Sequence, residues 1–371
     1  MEFTLFNWTN SDEVHNPNVK PMFAELGPYV FLERNNPTNV TWNRNNGTIS
    51  FNQLRTWEFM SHMSNGSLDD NITNLNVPSA MVGYTVRYDG PLIKMGVNVM
   101  LNTLGGSLFI TKTVRELLFD GYNDSLLDYL NSTNSTAFPA RRFSKFGWLS
   151  NRNNSWSYDG TFNVNIGEYD ISKMGTLHMW NGATTTDSFS NGCSQINGTF
   201  GKLWPPNLNS DDDITLFMPD MCRSITLAPE NLTTRNGEAE EANWIGDGRV
   251  FDNGENYSPN TCFCTGSEPS CPDLKSGVLN VTDCHFNWPA FVSYPHFYLA
   301  DRSYTDHVDG MSPSKDKHAF SIKLDANKGV PVEINARLQM NVLLQPINGL
   351  TIYENVPHVM VPMFWFTQKT G

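Results

Sequence analysis

The chain is short of charge, and above all of basic charge. Its 371 residues carry 25 Lys and Arg against 38 Asp and Glu, and only 17% of them are charged, where about a quarter is usual. With a net charge of −13, the chain repels phosphate backbones, which argues against general nucleic-acid binding. Because 39% of the residues are hydrophobic and 12% aromatic, the chain has ample material for a core and is not disordered.

The sequence also lacks a long apolar run. The best candidate, residues 92–110, is interrupted by a lysine, two asparagines and a pair of glycines, whereas a spanning helix needs about 20 consecutive apolar residues. Met1-Glu2-Phe3 has neither the basic start nor the apolar stretch of a signal peptide. The chain is therefore either a cytosolic protein or a trimmed ectodomain.

Catalytic motifs are missing as well. The sequence has no Gly-x-Ser-x-Gly elbow, no His-Glu-x-x-His pair and no phosphate-binding Gly-x-x-x-x-Gly-Lys loop. Apolar neighbours flank His296, so we expect a hydrogen-bonded core histidine and not a general base. A glycosidase-type carboxylate pair stays open, but nothing singles out one pair.

Asparagine takes the place of the missing charge, with 43 residues. Asn-x-Ser/Thr sequons occur 13 times, more often than chance gives, which favours a glycosylated, secreted surface over Asn-rich drift. Asn256 is the weakest site because Pro259 follows its Ser258. We expect glycan on most of the others, which are Asn7, Asn39, Asn46, Asn65, Asn71, Asn123, Asn131, Asn134, Asn153, Asn197, Asn231 and Asn280.

The cysteines are confined to a disulfide-rich region of about 193–284. They are Cys193, Cys222, Cys262, Cys264, Cys271 and Cys284. An even number favours disulfides in an oxidising compartment, with 15 possible connectivities, and Cys262 and Cys264 are too close to pair with each other. The rival is a zinc site that uses Cys262, Cys264, Cys271 and the Cys284-His285 pair, but structural zinc sites prefer pairs two to four residues apart on both sides. We therefore expect disulfides and no metal.

The C-terminal third has the period-two alternation of antiparallel strands. It predicts strands at residues 320–324 and 337–344, with Leu338 and Met340 on a buried face and Gln339 and Asn341 on the opposite, exposed one. Residues 359–366 predict another strand, in which Pro362 marks an edge or a bulge.

Helical spacing replaces alternation between residues 92 and 130. Ile93, Val97, Met100, Leu101 and Leu104 recur as on one helix face, and Gly105-Gly106 ends the pattern. Thr113 to Glu116 has the pattern of a capping box that opens a second helix, which ends at Asp120-Gly121. Residues 125–130 predict a short third helix. Spacing alone favours ordinary packed helices.

Several segments, in one order over nearly the whole chain, carry a family resemblance. They are FNWTNSDEV at 6–14, GPYVF at 27–31, TVRELL at 113–118 with GY at 121–122, PDMCRSI at 219–225, CFC at 262–264, GVL at 277–279 with Cys284, PHF at 295–297, VDG at 308–310 and RLQMN at 337–341. Together they resemble the class B scavenger receptors, the family of platelet glycoprotein IV, the lysosomal integral membrane protein and croquemort.

The resemblance implies a fold. Residues 1–371 would be one glycosylated ectodomain of an invertebrate member, without its two flanking membrane anchors. Its fold would be mixed α+β, with an irregular antiparallel β-barrel, a small helical bundle at the membrane-distal apex (about 77–131) and an internal hydrophobic tunnel. The family pairing would join Cys193 to Cys262, Cys222 to Cys284 and Cys264 to Cys271, each matched on its cysteine.

The resemblance also implies a function. Such receptors bind fatty acids, phospholipids, lipoproteins or apoptotic-cell surfaces and mediate their uptake or tunnel-assisted transfer. They act at the plasma membrane or in the endosomal or lysosomal lumen, with no enzymatic activity, no cofactor and no nucleic-acid partner. The alternative, from a different class, is a secreted glycosylated hydrolase acting on carbohydrate.

The apical helix departs from the family pattern. Some vertebrate relatives carry lysines near its end that engage anionic ligands, whereas this chain has Gly105, Gly106 and Ser107 there. Several apolar side chains of the helix lie off its core stripe, and a helix that is apolar on more than one face is buried or a contact surface. We therefore expect a lipid-docking surface that works by apolar contact, formed by Leu92, Met95, Val99, Met100 and Leu101.

Overall fold

The computed structural model of the chain describes residues 1–133, 145–189, 191–230, 234–236, 239–264, 274–284 and 289–369. The strands are β1 (Glu2–Trp8), β2 (Phe23–Asn43), β3 (Thr48–Phe59), β4 (Asn71–Leu75), β5 (Phe109–Thr113), β6 (Thr161–Asn165), β7 (Leu177–Trp180), β8 (Ile214–Met218), β9 (Arg223–Pro229), β10 (Thr234–Asn236), β11 (Ala239–Ile245), β12 (Val278–Asn280), β13 (Ala290–Ser293), β14 (Ser321–Asp325), β15 (Val330–Leu344) and β16 (Val359–Lys369). The helices are α1 (Val77–Val86), α2 (Pro91–Thr103), α3 (Ser125–Thr133), α4 (Ser303–Asp306) and α5 (Lys315–His318).

One long antiparallel sheet forms most of the fold. Its strands follow the order β7-β6-β3-β2-β1-β16-β15-β14-β11-β9-β8, with β10, β12 and β13 attached to the side. Between the two end strands, Thr199 makes one bridge to Thr176 and another to Leu216. The sheet therefore curls into a nearly closed barrel, and the predicted mixed fold with an irregular antiparallel barrel is confirmed.

Gly198 makes this closure possible. Its φ is +79°, and a Cβ added there would lie 2.2 Å from the carbonyl oxygen of Thr215 on β8. Only glycine adopts this backbone conformation without strain and allows another strand to approach so closely. The neighbouring N–H of Thr199 donates to that same Thr215 oxygen at 3.0 Å, so the contact is part of the closing ladder.

Replacing this glycine tests the closure. We expect Gly198→Ala to lower the free energy of unfolding by about 3 kcal/mol, because it combines a disfavoured φ with a backbone clash. Gly182→Ala is the matched control: its φ is also +79°, but nothing lies within 4 Å of an added Cβ, so its loss should be about 1 kcal/mol. Urea unfolding of both variants measures the difference, and equal losses would show that closure does not depend on the close approach.

The predicted C-terminal strands and the predicted bulge are present, but burial does not alternate along β15, where Met340 is half-buried between two buried polar residues. The strand predicted at 320–324 is β14, and those predicted at 337–344 and 359–366 are the longer β15 and β16. The register along β15 changes where Met340 faces Phe364 but Asn341 faces Pro362, so the extra residue of β16 lies beside the proline. A bulge lets proline occupy a strand that is paired on both sides, here with β1 and β15.

The expectation that β15 exposes Gln339 and Asn341 is wrong. Both side chains are fully buried, because the turn that contains His296 packs against β15 and the His296 N–H donates to Gln339 Oε1 at 2.7 Å. Gln339 Nε2 donates to Asn341 Oδ1 at 2.7 Å, and Asn341 Nδ2 donates to Ser293 Oγ at 3.0 Å. Polar side chains are tolerated in a core when their hydrogen bonds are made. Alternation therefore predicted that β15 is a strand, but it did not predict that both faces of the strand are covered.

His296 is a hydrogen-bonded core histidine, as expected. The N–H of Ser312 donates to its Nδ1 at 3.0 Å, so the ring proton sits on Nε2, which lies 2.8 Å from Oε1 of Glu25. Trp365 Nε1 donates to the same carboxylate oxygen at 2.6 Å. The ring of His318 stacks on His296 with 4.4 Å between centroids, and together these side chains form a buried histidine cluster.

This cluster predicts acid sensitivity. Burial, with the neighbouring His296, Lys317 and Arg337, lowers the pKa of His318 to about 4, although Glu25 opposes the shift. The folded state therefore binds a proton at His318 more weakly than the unfolded chain does, in which this histidine has its ordinary pKa near 6.5. Stability contributed by the neutral ring is complete above pH 6.5 and is lost as the pH falls toward 4.

We expect His318→Asn to reduce the loss of stability between pH 7 and pH 4 by an amount on the order of 2 kcal/mol. Urea unfolding at a series of pH values measures this slope. His62→Asn is the control, because His62 is exposed and should leave the slope unchanged. An unaltered slope in His318→Asn would assign the acid sensitivity to other groups, with Glu25 first among them. Burial raises the pKa of Glu25, but the hydrogen bond from His296 opposes this effect and contributes most to the net lowering of that pKa.

The predicted helices are present, with different ends. The helix predicted at 92–104 is α2, and Gly105 follows with a φ of +69°. The capping box is made, since Thr113 N and Oγ1 donate to Glu116 Oε2 at 3.0 and 2.9 Å and the Glu116 N–H donates back to Thr113 Oγ1. The segment that it opens is π-helical over Glu116–Asp120. The third helix, α3, continues beyond residue 130. Within the described ranges, no helix is long and apolar enough to span a bilayer.

Candidate functional site

Helix α2 is held against the barrel in one fixed orientation. Its Val97 and Leu101 are buried in the largest core cluster. On one flank, Oδ1 of Asn98 accepts from the N–H of Thr351 at 2.9 Å and from its hydroxyl at 3.0 Å. The same turn carries Tyr353, whose hydroxyl donates to the Ser79 carbonyl of α1 at 2.8 Å. The face of α2 opposite Val97 and Leu101 must therefore point outward.

That outward face is apolar. Leu92, Met95 and Val99 are 80%, 60% and 61% exposed, and their i, i+3, i+7 spacing places them in one row. Gly96 lies within the row, and nothing comes within 4 Å of a Cβ added there. We call the row formed by Leu92, Met95, Gly96 and Val99 the apical face. An exposed apolar row of this kind makes the apical face a candidate contact surface.

Two residues of the predicted docking surface are placed differently. Leu101 is 0% exposed, so its assignment to the surface is wrong: it points into the core half a helical turn away from Val99. Met100 is half-buried and packs against the core. Conversely, Ile93, which the spacing assigned to the core stripe, is exposed. Spacing identifies opposite faces of α2 but does not show how wide the buried face is.

Basic charge is sparse around the apical face. Lys94 is half-buried, with its side-chain stem beside Gly349. Lys112 lies 3.5 Å from the carboxylate of Glu116, and a close opposite charge offsets its field. Gly105 and Ser107 continue the chain beyond the helix without a charge. Contacts at this face therefore depend on apolar burial.

An inner cavity of about 110 Å³ lies against β1, β13, β15 and β16. Its wall is mostly apolar, with Phe3 and Phe364 from one core cluster and Val292 and Leu338 from another. One end is charged and includes Lys145, Arg152 and Asp220. Arg152 is itself paired with Asp159 and Asp220 at 2.8 and 2.7 Å.

A side cavity of about 220 Å³ opens near the start of α2. Its wall includes Phe291 and Leu343, and its lining also includes Arg87, Lys275 and Tyr88. The guanidinium carbon of Arg87 lies 3.4 Å above the Tyr84 ring and 4.6 Å above the exposed Tyr88 ring, a cation–π arrangement. An apolar wall beside a basic, aromatic edge suits an amphiphile with an anionic head.

The cavity sizes limit what they hold in this conformation. A cavity of 150 Å³ accommodates benzene, so the inner cavity of about 110 Å³ and the side cavity of about 220 Å³ hold pieces of an acyl chain. A complete long chain needs both cavities, or the rearrangement of side chains between them. The continuous tunnel that the resemblance implies therefore stays a prediction.

Two disulfides join the pairs that the resemblance implied. Cys193 is bonded to Cys262 and Cys222 to Cys284, across sequence separations of 69 and 62 residues. Loops of this length give each bond about 4 kcal/mol in the chain-entropy model. Cys264 is also disulfide-bonded, and Cys271, its predicted partner, lies outside the described residues.

Most of the predicted glycan acceptors reach solvent. Asn7, Asn131 and Asn280 are half-buried, and Asn134 and Asn231 lie outside the described residues. Asn256, the expected exception, is exposed but its Nδ2 donates to Asp252 Oδ2 at 3.1 Å. The remaining predicted acceptors are exposed: Asn39, Asn46, Asn65, Asn71, Asn123, Asn153 and Asn197.

Occupancy should follow this exposure. A glycan must extend into water, so we expect high occupancy at Asn46 and Asn153 and low occupancy at Asn7, whose Oδ1 accepts from the Thr73 N–H at 2.8 Å. The measurement is peptide mapping of protein secreted from animal cells, because enzymatic deglycosylation converts each occupied Asn to Asp. Deglycosylation that leaves the mass of the protein almost unchanged would contradict the assignment to a secreted surface.

Comparisons with known proteins show similarity along the whole chain. A protein-family model described as the CD36 family matches residues 1–371. Protein peste of Drosophila melanogaster is 37% identical over 98% of this chain and 64% of its own length. Scavenger receptor class B member 1 of Sus scrofa is 32% identical over 96% of the chain and 69% of its own length. Lysosome membrane protein 2 of Rattus norvegicus is 28% identical over 100% of the chain and 74% of its own length.

Proposed function

Because the chain belongs to the CD36 family, we propose that it is the lipid-binding domain of a class B scavenger receptor. It captures fatty acids, phospholipids or lipid-bearing particles and supports their uptake or their transfer to the membrane. Its relatives include a scavenger receptor and a lysosome membrane protein. This supports a domain that faces the extracellular space or the lysosomal lumen and acts by binding, without catalysis.

The observation that carries the proposal is the apical face. Leu92, Met95 and Val99 expose large apolar side chains in one row, although the inner face of α2 already fills its place in the core. Methionine adds an adaptable contact because it is unbranched and polarizable, and the open site above Gly96 leaves room for a chain to lie across the helix. Such a surface suits acyl chains of differing shape.

Apolar burial supplies enough free energy for capture. Each buried methylene contributes about 0.8 kcal/mol, so a chain of about 16 methylenes gains roughly 13 kcal/mol before ordering costs are subtracted. Electrostatic steering adds little here, since Lys94 is half-buried and the chain carries a net charge of −13. Binding through this face therefore discriminates weakly among anionic head groups.

The cavities provide a route away from the apical face. Tyr88, which lines the side cavity, precedes α2 by three residues. An amphiphile held there would place its anionic head near Arg87 and Lys275 and its chain against Phe291 and Leu343. A transient passage between the side and inner cavities would then carry the chain through the barrel, as the tunnel of the family requires.

The chain is part of a longer receptor in this proposal. It spans 64% of the length of protein peste and 69% of that of the porcine receptor, so the remaining segments would supply membrane anchors. In that arrangement the helical region of about 77–131 lies at the end of the domain farthest from the membrane, where lipid particles arrive.

Two substitutions on α2 test apolar capture. Val99→Asp should weaken binding of a fluorescent long-chain fatty acid by about tenfold or more, because it places a charge in the apolar row. Lys94→Ala should change the affinity by less than about threefold, since Lys94 is not part of the apolar row and apolar burial supplies the binding free energy. Fluorescence titration of the purified domain at low and high salt measures both effects.

The control is Ser107→Asp, which adds the same charge at an exposed position beyond the end of α2. It should bind as the parent does, and affinity should depend weakly on salt, because screening acts on exposed charges. A larger loss in Lys94→Ala than in Val99→Asp, or a steep loss of binding with salt, would replace apolar capture by electrostatic capture.

A further inference from the structure

A groove of about 550 Å³ lies beside the Cys193–Cys262 disulfide and meets the side cavity at Phe263, which lines both. Its volume is within the range of small-molecule sites. It is lined by several hydroxyl and amide side chains. They include Gln195, Asn197, Thr215, Ser224, Thr226 and Tyr257. We call this site the disulfide groove.

The disulfide groove contains a buried arginine that forms no ion pair with any described residue. Arg223 lines it and is only 4% exposed. Its Nε donates to the Ser224 carbonyl at 3.3 Å, whereas its Nη1 is buried and has no hydrogen-bond partner in the described part of the chain. A buried polar group that lacks a partner is rare in folded proteins, and a buried charge still more so.

Two other arginines have the carboxylate partners that Arg223 lacks among the described residues. Arg249, on the same groove, is bonded to Asp213 at 2.9 Å and to Asp247 at 2.7 Å. Arg152, which is equally buried, has Asp159 and Asp220 within 2.8 Å. Within the described ranges, no carboxylate forms an ion pair with Arg223. An oxyanion from outside the chain would supply the charge that two carboxylates supply to each of the others.

The Arg223 guanidinium is held in place from two sides. Its carbon lies 3.4 Å above the ring of Phe263, and Phe263 stands between Cys262 and Cys264, both of which are disulfide-bonded. At the other side, Cys222 precedes it and is bonded to Cys284. Cross-links on both flanks keep the planar fork oriented before any ligand arrives, which lowers the ordering cost of binding.

We propose that the disulfide groove is a binding site for a small oxyanion, a carboxylate, sulfate or phosphate on a polar carrier, which pairs with Arg223. The planar guanidinium matches the geometry of these groups. The surrounding hydroxyl and amide groups favour a polar carrier, such as an acidic saccharide, over an acyl chain. The site is separate from the apical face, so the receptor binds two chemically different ligands.

Arg223 is charged at neutral pH. Burial lowers its pKa to about 9, and only the Tyr294 hydroxyl opposes the shift. The guanidinium is therefore protonated at neutral pH while it lacks the compensation that an anion would give. Occupation of the groove should raise this pKa, because a nearby negative charge favours the protonated form.

Selenate and glucuronate are suitable probes, since one is a compact oxyanion and the other carries its carboxylate on a sugar. We expect both to bind the purified domain at equal ionic strength in calorimetric titration, and Arg223→Gln to weaken them by about tenfold or more. Arg302→Gln is the control: it removes the same charge from an exposed position and should leave the affinities unchanged. Fatty-acid binding should be unaltered in both variants, which separates this site from the apical face.

Anomalous scattering from selenate-soaked crystals keeps the proposal testable if Arg223→Gln does not fold. A selenium peak within hydrogen-bond distance of the Arg223 guanidinium supports it, and its absence at saturating selenate overturns it. Equal weakening by Arg302→Gln would also overturn it, because net charge alone would then explain binding. Sedimentation with phosphatidylserine vesicles distinguishes the source: Arg223-dependent binding of vesicles, but not of glucuronate, would assign the groove to a lipid head group.

Discussion

The pairing of β1 with β16 is the constraint on which the rest of the structure depends. In the order of the long sheet, β1 alone connects the strands of the first half of the chain, from β2 outward, to those of the second half, from β16 outward. The two partners lie more than 350 residues apart, with Glu2 opposite Thr367. Contacts so distant in sequence form only after a large loss of chain entropy, and they make the sheet one cooperative unit. The inner cavity and the support of α2 both depend on strands that this pairing brings together.

The same barrel presents two surfaces of opposite chemistry. At α2, tertiary contacts of the inner side chains and of Asn98 fix the helix so that an apolar row remains outside. In the disulfide-rich region, cross-links hold Phe263 and Arg223 where the sheet alone would not, since β9 is near the end of the sheet and part of this region is irregular. The apical face is apolar because the core leaves the outer side chains of α2 uncovered. The disulfide groove presents a charged group because the disulfides hold Arg223 in place.

Much of the fold follows from local patterns, and the exceptions share one cause. Period-two alternation predicted β14, β15 and β16, and the Thr113–Glu116 capping box forms as its sequence indicates. The burial of Gln339, of Leu101 and of Arg223 was not evident, because each depends on an element distant in sequence. The turn at His296 bonds to Gln339, α2 packs into the core, and Phe263 covers the guanidinium. The family resemblance supplied the disulfide pairs, which no spacing argument could select from 15 possibilities. An unpaired arginine has no signal in a single sequence, since its missing partner is visible only in three dimensions.

A substitution at Gly96 would change the shape of the apical face with little effect on the stability of the protein. Most positions that contact a ligand also pack against the protein's own core, so that a change which alters specificity also alters folding. At Gly96 the space above the helix is empty, and an added Cβ meets no atom of the chain. Side chains of many sizes would therefore fit without repacking, and most would favour the helix more than glycine does. In the proposed function, the breadth of lipids accepted at this face would change by single mutations with little effect on the barrel beneath it.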